Sequence, residues 1–256
     1  LNDRQIENKK RVIELGEVKI VELTKWFPVS QMTIRRDLEK LELLGHIRRT
    51  FGGAIPVAND IAFRDRASQY LEEKRKIGGD AANLIQSGEA IFLDGGTTTL
   101  EVARAIPSSK DITIVTNALN IAAELAEKHI PVNMTGGSLR EETLSLVGPV
   151  VEKNLSGMAF DRIFIGTTGI TVNHGFSNSN IFEADIKRLV IKKTTEVNIV
   201  ADTSKFGKSS LSSFANFDSV NRIITDRHPG FEIEELCKEH DVDILIASRL
   251  DSQFIK

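Results

Sequence analysis

Cysteine is almost absent from this chain, since Cys237 is the single one among 256 residues. An intrachain disulfide framework is therefore excluded, and the composition fits a reducing cytoplasm. The five histidines are scattered, and none stands at metal-ligand spacing from a cysteine or another histidine, so no metal site is expected. No apolar run approaches the roughly 20 residues that a membrane helix requires. Residues 1–4 lead into polar sequence without an apolar core, so no signal peptide is predicted. We expect a cytoplasmic protein without a membrane partner.

A strong excess of one charge is also lacking, since the net charge is only −3. The charge is nevertheless uneven: residues 1–55 hold 11 Lys and Arg against 8 Asp and Glu, a net +3, so the remaining residues carry −6. The length suits two unequal domains. A small basic end on an acidic body is typical of a nucleic-acid-binding module fused to another domain.

The first 55 residues predict three helices followed by a short β element. Apolar residues favour helices around residues 6–15 and 20–27, and Pro28 ends the second one. Ser30 is a suitable N-cap for the third helix, and Gly45 ends it. Apolar residues recur along this helix at helical spacing: Ile34, Leu38, Leu41 and Leu44. Two helices joined by a tight turn, the second capped and basic at its start, indicate a helix-turn-helix.

The exposed start of the third helix carries side chains suited to the DNA major groove. Arg pairs with guanine, Gln with adenine, and Thr or Met contacts a thymine methyl group or a phosphate. Residues 47–54 then predict a wing with a Gly-Gly tip, whose arginines can reach the DNA backbone or minor groove. For the arginine pair alone, a solvated basic helix face is the alternative. The predicted DNA-contacting residues are Ser30, Gln31, Met32, Thr33, Arg35, Arg36, Arg48 and Arg49.

The remaining sequence alternates strands and helices. Residues 56 to about 70 lack clean periodicity and predict a connection, and a helix is predicted from about Leu71 to Ile85. We place the linker at residues 56–75 and the second domain at residues 76–256. Strand followed by helix, repeated, favours a mostly parallel sheet covered on both faces, an α/β fold. The predicted strands are residues 90–93, 112–115, 132–134, 162–165, 197–200, 222–225 and 242–246. Ligands bind such sheets at the carboxyl ends of the strands.

Small, hydroxyl-bearing and charged residues follow several of these strands. In Asp94-Gly95-Gly96-Thr97-Thr98-Thr99, the glycines allow close approach to an anion, and amides and hydroxyls at the next helix start would hold phosphate oxygens. A Walker ending and a dinucleotide fingerprint are both missing, which favours a small phosphorylated ligand. Glu183 and Lys187 could instead form an exposed i,i+4 ion pair. The predicted effector-binding residues are Asp94, Gly95, Gly96, Thr97, Thr98, Thr116, Asn117, Gly136, Gly137, Arg140, Glu183, Lys187, Asp202 and Lys205.

Nearly the whole chain resembles the DeoR family of bacterial regulators. The N-terminal residues that carry the resemblance are Ser30-x-x-Thr33-Ile34-Arg35-Arg36-Asp37-Leu38, Leu41-Glu42, Gly45 and Arg49-x-x-Gly52-Gly53-Ala54. Those of the larger domain are Asp94-Gly95-Gly96-Thr97-Thr98, Thr116-Asn117, Thr135-Gly136-Gly137, Glu183-Ala184-x-x-Lys187 and Ala201-Asp202-x-Ser204-Lys205-x-Gly207. One departure is a spacing about one helical turn shorter before Gly16. The resemblance implies an effector domain similar to ribose-5-phosphate isomerase and the coenzyme A transferases, and a response to phosphorylated sugars.

Together these features predict a sequence-specific repressor of a sugar-metabolism operon, which is not an enzyme and needs no cofactor. A phosphorylated sugar in the second domain would control binding to double-stranded operator DNA. Paired operator half-sites would require a homodimer or homotetramer. The alternative is a sugar-phosphate isomerase with an accessory N-terminal domain, and a bare interaction module would explain neither the arginine pair nor the glycine-threonine loop. The isomerase would use as acid–base groups Asp94, Glu183, Asp202 and Lys205.

Overall fold

A computed structural model describes residues 2–15, 18–43, 47–50, 52–56 and 63–247. Contacts divide the chain into two compact units, Leu1–Asp60 (unit 1) and Ile61–Lys256 (unit 2). In chain order, unit 1 contains α1 (Asp3–Leu15), β1 (Val18–Lys19), α2 (Ile20–Trp26), α3 (Gln31–Leu43), β2 (Ile47–Arg49) and β3 (Gly53–Pro56).

Unit 1 is built around one apolar cluster. The inward faces of its three helices and three strands contribute fully buried residues, namely Val12, Val18, Leu23, Ile34, Leu38, Leu41, Ile47 and Ala54. The strands form an antiparallel sheet in the order β1-β3-β2. The buried carboxylate of Asp37 on α3 accepts from Arg4 Nε at 2.6 Å and from Gln5 Nε2 at 3.0 Å, which ties α1 to α3. The three predicted helices and the wing are therefore confirmed.

Unit 2 alternates strands and helices from its start. Its elements are α4 (Phe63–Ser68), α5 (Leu71–Asn83), β4 (Ala90–Leu93), α6 (Thr97–Ala105), β5 (Thr113–Thr116), α7 (Leu119–Glu127), β6 (Val132–Met134), β7 (Ser138–Arg140), β8 (Ser145–Val147), α8 (Pro149–Ser156), β9 (Phe160–Gly166), β10 (Gly169–Thr171), β11 (Gly175–Asn178), α9 (Ile181–Ile191), β12 (Thr194–Val200), β13 (Ser212–Ala215), β14 (Arg222–Thr225), α10 (Phe231–Glu239) and β15 (Asp243–Ile246).

Seven strands of unit 2 form one parallel sheet in the order β15-β14-β12-β9-β4-β5-β6. Apolar clusters cover both faces of the sheet, which explains why its strands read as continuous apolar runs. The antiparallel hairpin β7–β8 and the small antiparallel sheet β10-β11-β13 are added to this frame. The predicted α/β fold is confirmed. Within the ranges that the structure describes, no helix is long and apolar enough to span a membrane.

The connection predicted over residues 56–75 differs from the structure. Residues 63–75 are largely helical and belong to unit 2, where Phe63 and Lys74 are buried. The six residues of α4 are too few to show a period, whereas α5 matches the helix predicted from about Leu71 to Ile85. Residues 57–62 lie outside the described ranges.

Candidate DNA-binding surface and effector site

The start of α3 presents polar and basic side chains to solvent. Ser30 Oγ accepts a hydrogen bond from Thr33 N at 3.2 Å, so the predicted N-cap is present. Arg35 and Arg36 are exposed, whereas Ile34, which precedes them, is fully buried in the core of unit 1. Gln31 and Met32 are exposed beside them, and Thr33 is half-buried. Among the described residues, unit 1 therefore has a basic helix face next to a capped helix N-terminus.

The wing packs against the end of α3. In the β2–β3 hairpin, Thr50 N donates to Gly53 O at 3.0 Å, and a Cβ on Gly53 would lie 2.0 Å from Val18 O, so only glycine fits there. Arg49 does not point freely into solvent, because its guanidinium contacts Glu39 and Glu42 of α3. The backbone of Arg48 lies in β2, and its side chain is outside the described parts of the structure.

The predicted effector residues mostly follow strands that are neighbours in the large sheet. Asp94 follows β4, Asn117 follows β5, and Asp202 follows β12, with β9 ending at Gly166 between β4 and β12. The carboxyl ends of parallel strands share one edge, so these loops meet there. Helix α9 reaches the same edge, because Lys187 contacts Gly166.

Asp94 and Lys187 form a buried ion pair at this edge. Their side chains are each 3% exposed, with Lys187 Nζ 2.9 Å from Asp94 Oδ2. The ammonium also donates to Gly166 O at 2.5 Å and lies 5.1 Å from the centre of the Phe214 ring. Burial raises the pKa of Asp94, and the charge of Lys187 opposes that rise. Both charges are already compensated, and the pair connects α9 with the residues that follow β4 and end β9.

The loop after β4 leaves a helix N-terminus open. Gly96 is the N-cap of α6 and supplies no side-chain cap, so the first amides of α6 lack an intrahelical acceptor. Asn117 Oδ1 accepts from Gly95 N at 3.1 Å, and Thr116 Oγ1 donates to Leu93 O at 2.6 Å. Thr98 is buried and Thr97 half-buried. Thr116 and Asn117 therefore hold the loop in shape, while the start of α6 can receive an anion.

Glu183 is the centre of a second polar cluster. Its Oε1 accepts from Thr143 Oγ1 at 2.6 Å and from Ser145 Oγ at 2.7 Å, and Arg140 Nε lies 3.3 Å away. Asn178 Nδ2 donates to Oε2 at 2.8 Å. Burial opposes ionisation, yet the hydroxyl donors and the charge of Lys187 hold the pKa of Glu183 below its ordinary value. The ionised carboxylate ties the β7–β8 hairpin to α9.

Asp202 and Lys205 form a third cluster with a residue that the sequence did not reveal. Asp202 is 1% exposed, and its Oδ2 has no hydrogen-bond partner, although Lys205 Nζ lies 3.9 Å away. Lys74 of α5 is electrostatically coupled to both residues, and burial lowers its pKa to about 8. Lys74 Nζ donates to Arg66 O and Gln69 O, each at 2.6 Å.

Gly136 and Gly137 are explained by packing. Their φ angles are +67° and +112°, and a Cβ on Gly137 would lie 2.5 Å from Val151 Cγ2 of α8. A side chain at Gly137 would therefore separate the loop after β6 from α8. Among the described residues, no group of His, Cys, Asp or Glu is arranged to hold a metal ion.

Two known domain families match the chain. The DeoR-like helix-turn-helix domain matches residues 4–59, and the DeoR C terminal sensor domain matches residues 69–227. The fold and the two candidate sites define a DNA-binding regulator with a sensor domain. The chain belongs to the DeoR family of transcriptional regulators, as the resemblance predicted.

Several known transcriptional regulators are similar to this chain over most of their length. The HTH-type transcriptional regulator GlpR of Haloferax volcanii is 40% identical over 227 residues, covering 86% of this chain and 89% of that protein. IolR of Bacillus subtilis is 34% identical over 244 residues, covering 94% and 97%. The repressor GlcR of Bacillus subtilis is 35% identical, covering 86% of each chain. This chain is accordingly a regulator and not an enzyme, and the isomerase alternative is set aside.

Solved structures of two other proteins superpose on part of this chain. Ribose-5-phosphate isomerase A of Methanocaldococcus jannaschii superposes with a TM-score of 0.41 at 14% identity, covering 54% of this chain and 55% of that chain. A translation initiation factor eIF-2B of Pyrococcus horikoshii gives a TM-score of 0.43 at 16% identity, covering 81% and 69%.

Proposed function

We propose that this regulator is a repressor of a sugar-metabolism operon and that a phosphorylated sugar controls its binding to operator DNA. The main support for an effector site is the uncapped start of α6, at the sheet edge near Asp202, Lys205 and Lys74. Helix amides and ammonium groups favour a phosphate, and a carboxylate oxygen without a partner accepts hydrogen bonds from sugar hydroxyls. Relatives named as repressors, GlcR and an aga operon repressor, support the direction of control.

Most of the predicted effector residues then divide into two roles, and Lys74 joins them. Gly96, Thr97, Asp202 and Lys205 bind the ligand directly, since the first amides of α6 and one Asp202 oxygen lack a partner, and the buried ammonium of Lys74 adds its positive charge beside Asp202. The compensated residues hold these groups in place, and they comprise Asp94, Thr116, Asn117, Gly137, Glu183 and Lys187. Control of DNA binding requires that the ligand prefers the conformation with low DNA affinity.

Thermal-shift measurements with a panel of phosphorylated sugars test the effector site, because a ligand that binds the folded state raises its stability. Gly96→Leu should abolish the shift and leave DNA binding without effector unchanged. This position is suited to the test because a Cβ on Gly96 meets only Thr99 Oγ1, at 3.0 Å, whereas one on Gly95 meets the Cβ of Ser145 at 2.9 Å. A full response in Gly96→Leu would place the phosphate elsewhere.

The DNA-binding surface comprises Ser30, Gln31, Met32, Thr33, Arg35 and Arg36, with the wing beside it. The operator is first selected from a random duplex pool with the full chain. Arg35→Ala and Arg36→Ala should each cost about 1–3 kcal/mol of specific binding, as expected when a guanidinium loses a base contact. Lys25→Ala, which removes an exposed charge from α2, is the matched control. Equal affinities for all three variants and the parent chain would refute this surface.

Two-fold operators require two such surfaces, so we propose a homodimer or a homotetramer. Sedimentation equilibrium of the full chain, with and without operator, measures the stoichiometry. A monomer in both conditions would contradict the assembly without affecting the assignment of either site.

A further inference from the structure

Arg49 of the wing is held by two carboxylates of α3. Its Nε lies 2.7 Å from Glu42 Oε2, and its Nη1 lies 2.8 Å from Glu39 Oε1. The backbone N–H of Arg49 donates to the second carboxylate oxygen, Glu42 Oε1, at 2.8 Å. Glu42 therefore binds the main chain and the side chain of one wing residue at the same time.

We propose that Arg49 is a positioning residue that fixes the angle between the wing and α3, and is not a phosphate contact. This role rests on the proposed DNA-binding function. Arg49 is the last residue of β2 and pairs with Ala54, so it stands where the hairpin leaves the strand toward its glycine tip. Glu39 and Glu42 are three residues apart and share one face of α3. We call these three residues the wing clamp.

A phosphate could recruit Arg49 only by displacing charge-assisted hydrogen bonds that the protein already supplies. The guanidinium is a rigid fork, and here two of its nitrogens are directed at separate carboxylates. A wing held in this way enters the DNA complex with its direction already set, which lowers the ordering cost of binding. The remaining wing surface, and not Arg49, is then free to approach the DNA backbone.

The clamp is exposed enough that we expect unit 1 to remain folded when it is removed. The side chains of Arg49, Glu42 and Glu39 are 39%, 37% and 52% exposed, and exposed ion pairs contribute little to folding. The apolar cluster of unit 1 contains none of the three. Circular dichroism and thermal unfolding verify the fold of each variant before its DNA affinity is measured.

Glu42→Gln distinguishes the two roles by the sign of its effect. If Arg49 is a phosphate contact, the substitution releases the guanidinium and removes a negative charge near DNA, so affinity for the selected operator duplex rises. If Arg49 positions the wing, affinity falls several-fold. Glu7→Gln on α1 removes the same charge outside the clamp and measures the general electrostatic effect. Affinity of Glu42→Gln at or above that of Glu7→Gln would overturn the positioning role.

Arg49→Gln and Arg49→Lys give an independent readout from salt dependence. Loss of a phosphate contact reduces the slope of log affinity against log salt by about 1. Loss of the clamp lowers affinity at every salt concentration and leaves the slope unchanged, and Arg49→Lys fails to restore affinity because an ammonium cannot span both carboxylates. If Arg49→Gln reduces the salt slope and Arg49→Lys restores full affinity, the positioning role of Arg49 is overturned, while the proposed DNA-binding surface is unaffected. If Arg35→Ala and Arg36→Ala bind the same duplex normally, it is the DNA-binding surface that fails.

Discussion

Replacing Lys187 should show how much the buried Asp94–Lys187 ion pair contributes to the free energy of unfolding. Lys187→Met preserves the length and much of the volume of the side chain, so the main loss is the ion pair with Asp94 at 2.9 Å. Breaking a buried pair on one side costs about 3–5 kcal/mol, because the other charge remains desolvated and uncompensated. We therefore expect the free energy of unfolding at neutral pH to fall by about this amount, measured by urea denaturation with circular dichroism.

The loss of stability in Lys187→Met should be smaller at acidic pH than at neutral pH. Burial already raises the pKa of Asp94, and the methionine variant loses the ammonium that opposed this rise. A carboxyl group whose folded pKa is raised favours the folded state when protonated, and that contribution is lost as pH rises through the folded pKa. The gap between variant and parent should thus narrow as pH falls from neutrality toward the ordinary Asp value.

Two further variants make the test decisive. Asp94→Asn combined with Lys187→Met removes both charges, and it should recover most of the lost stability. Lys192→Met, which removes an exposed lysine at the end of α9, should change stability by less than about 0.5 kcal/mol. The reasoning would be refuted if Lys187→Met unfolded at the same urea concentration as Lys192→Met at neutral pH.

Effector affinity should weaken as pH rises through about 8, because Lys74 attracts an anion only while it is protonated. Isothermal titration on either side of that pH measures the affinity. Lys74→Met should weaken binding at the lower pH and remove the pH dependence. A pH-independent affinity would exclude Lys74 from the site. Gly78→Ala should destabilise unit 2 by about 1–3 kcal/mol in thermal unfolding, since its Cβ would lie 2.5 Å from the main-chain carbonyl carbon of Glu101 on α6. Gly157→Ala, which meets nothing within 4 Å, is the control, and equal effects would contradict this tight packing.

Most of the sheet was predictable because buried parallel strands are short runs of apolar residues. The strand at residues 90–93 has the predicted bounds, and β9 and β12 extend their predicted ranges at residues 160–166 and 194–200. The third helix was equally readable, because its cap and its apolar stripe follow from local geometry. Hydrophobic period and capping chemistry act over a few residues, which is the range that a single sequence displays.

The polar partners were not predictable because they depend on tertiary contacts. Lys74 stands in a charged run that looks like a solvated helix face, yet it is 2% exposed. The i,i+4 spacing of Glu183 and Lys187 favoured an ion pair between them, but Lys187 pairs with Asp94 and Glu183 with Arg140. Nothing in the local sequence signals that choice, since Asp94 lies in the loop after β4 and Arg140 lies in β7.

At the sheet edge, some residues of the sequence motif are expected to support the binding site without touching the ligand. Asp94 and Lys187 cancel each other's charge in the interior, so a phosphate gains little from either at long range. Their contribution is geometric, because the pair fixes the turn that presents the amides of α6. Lys205 and Lys74 are two cations beside Asp202 that can attract the anion, and each has its pKa lowered chiefly by burial. A bound phosphate would stabilise their protonated forms, so effector binding should draw protons from solution in buffers near pH 8.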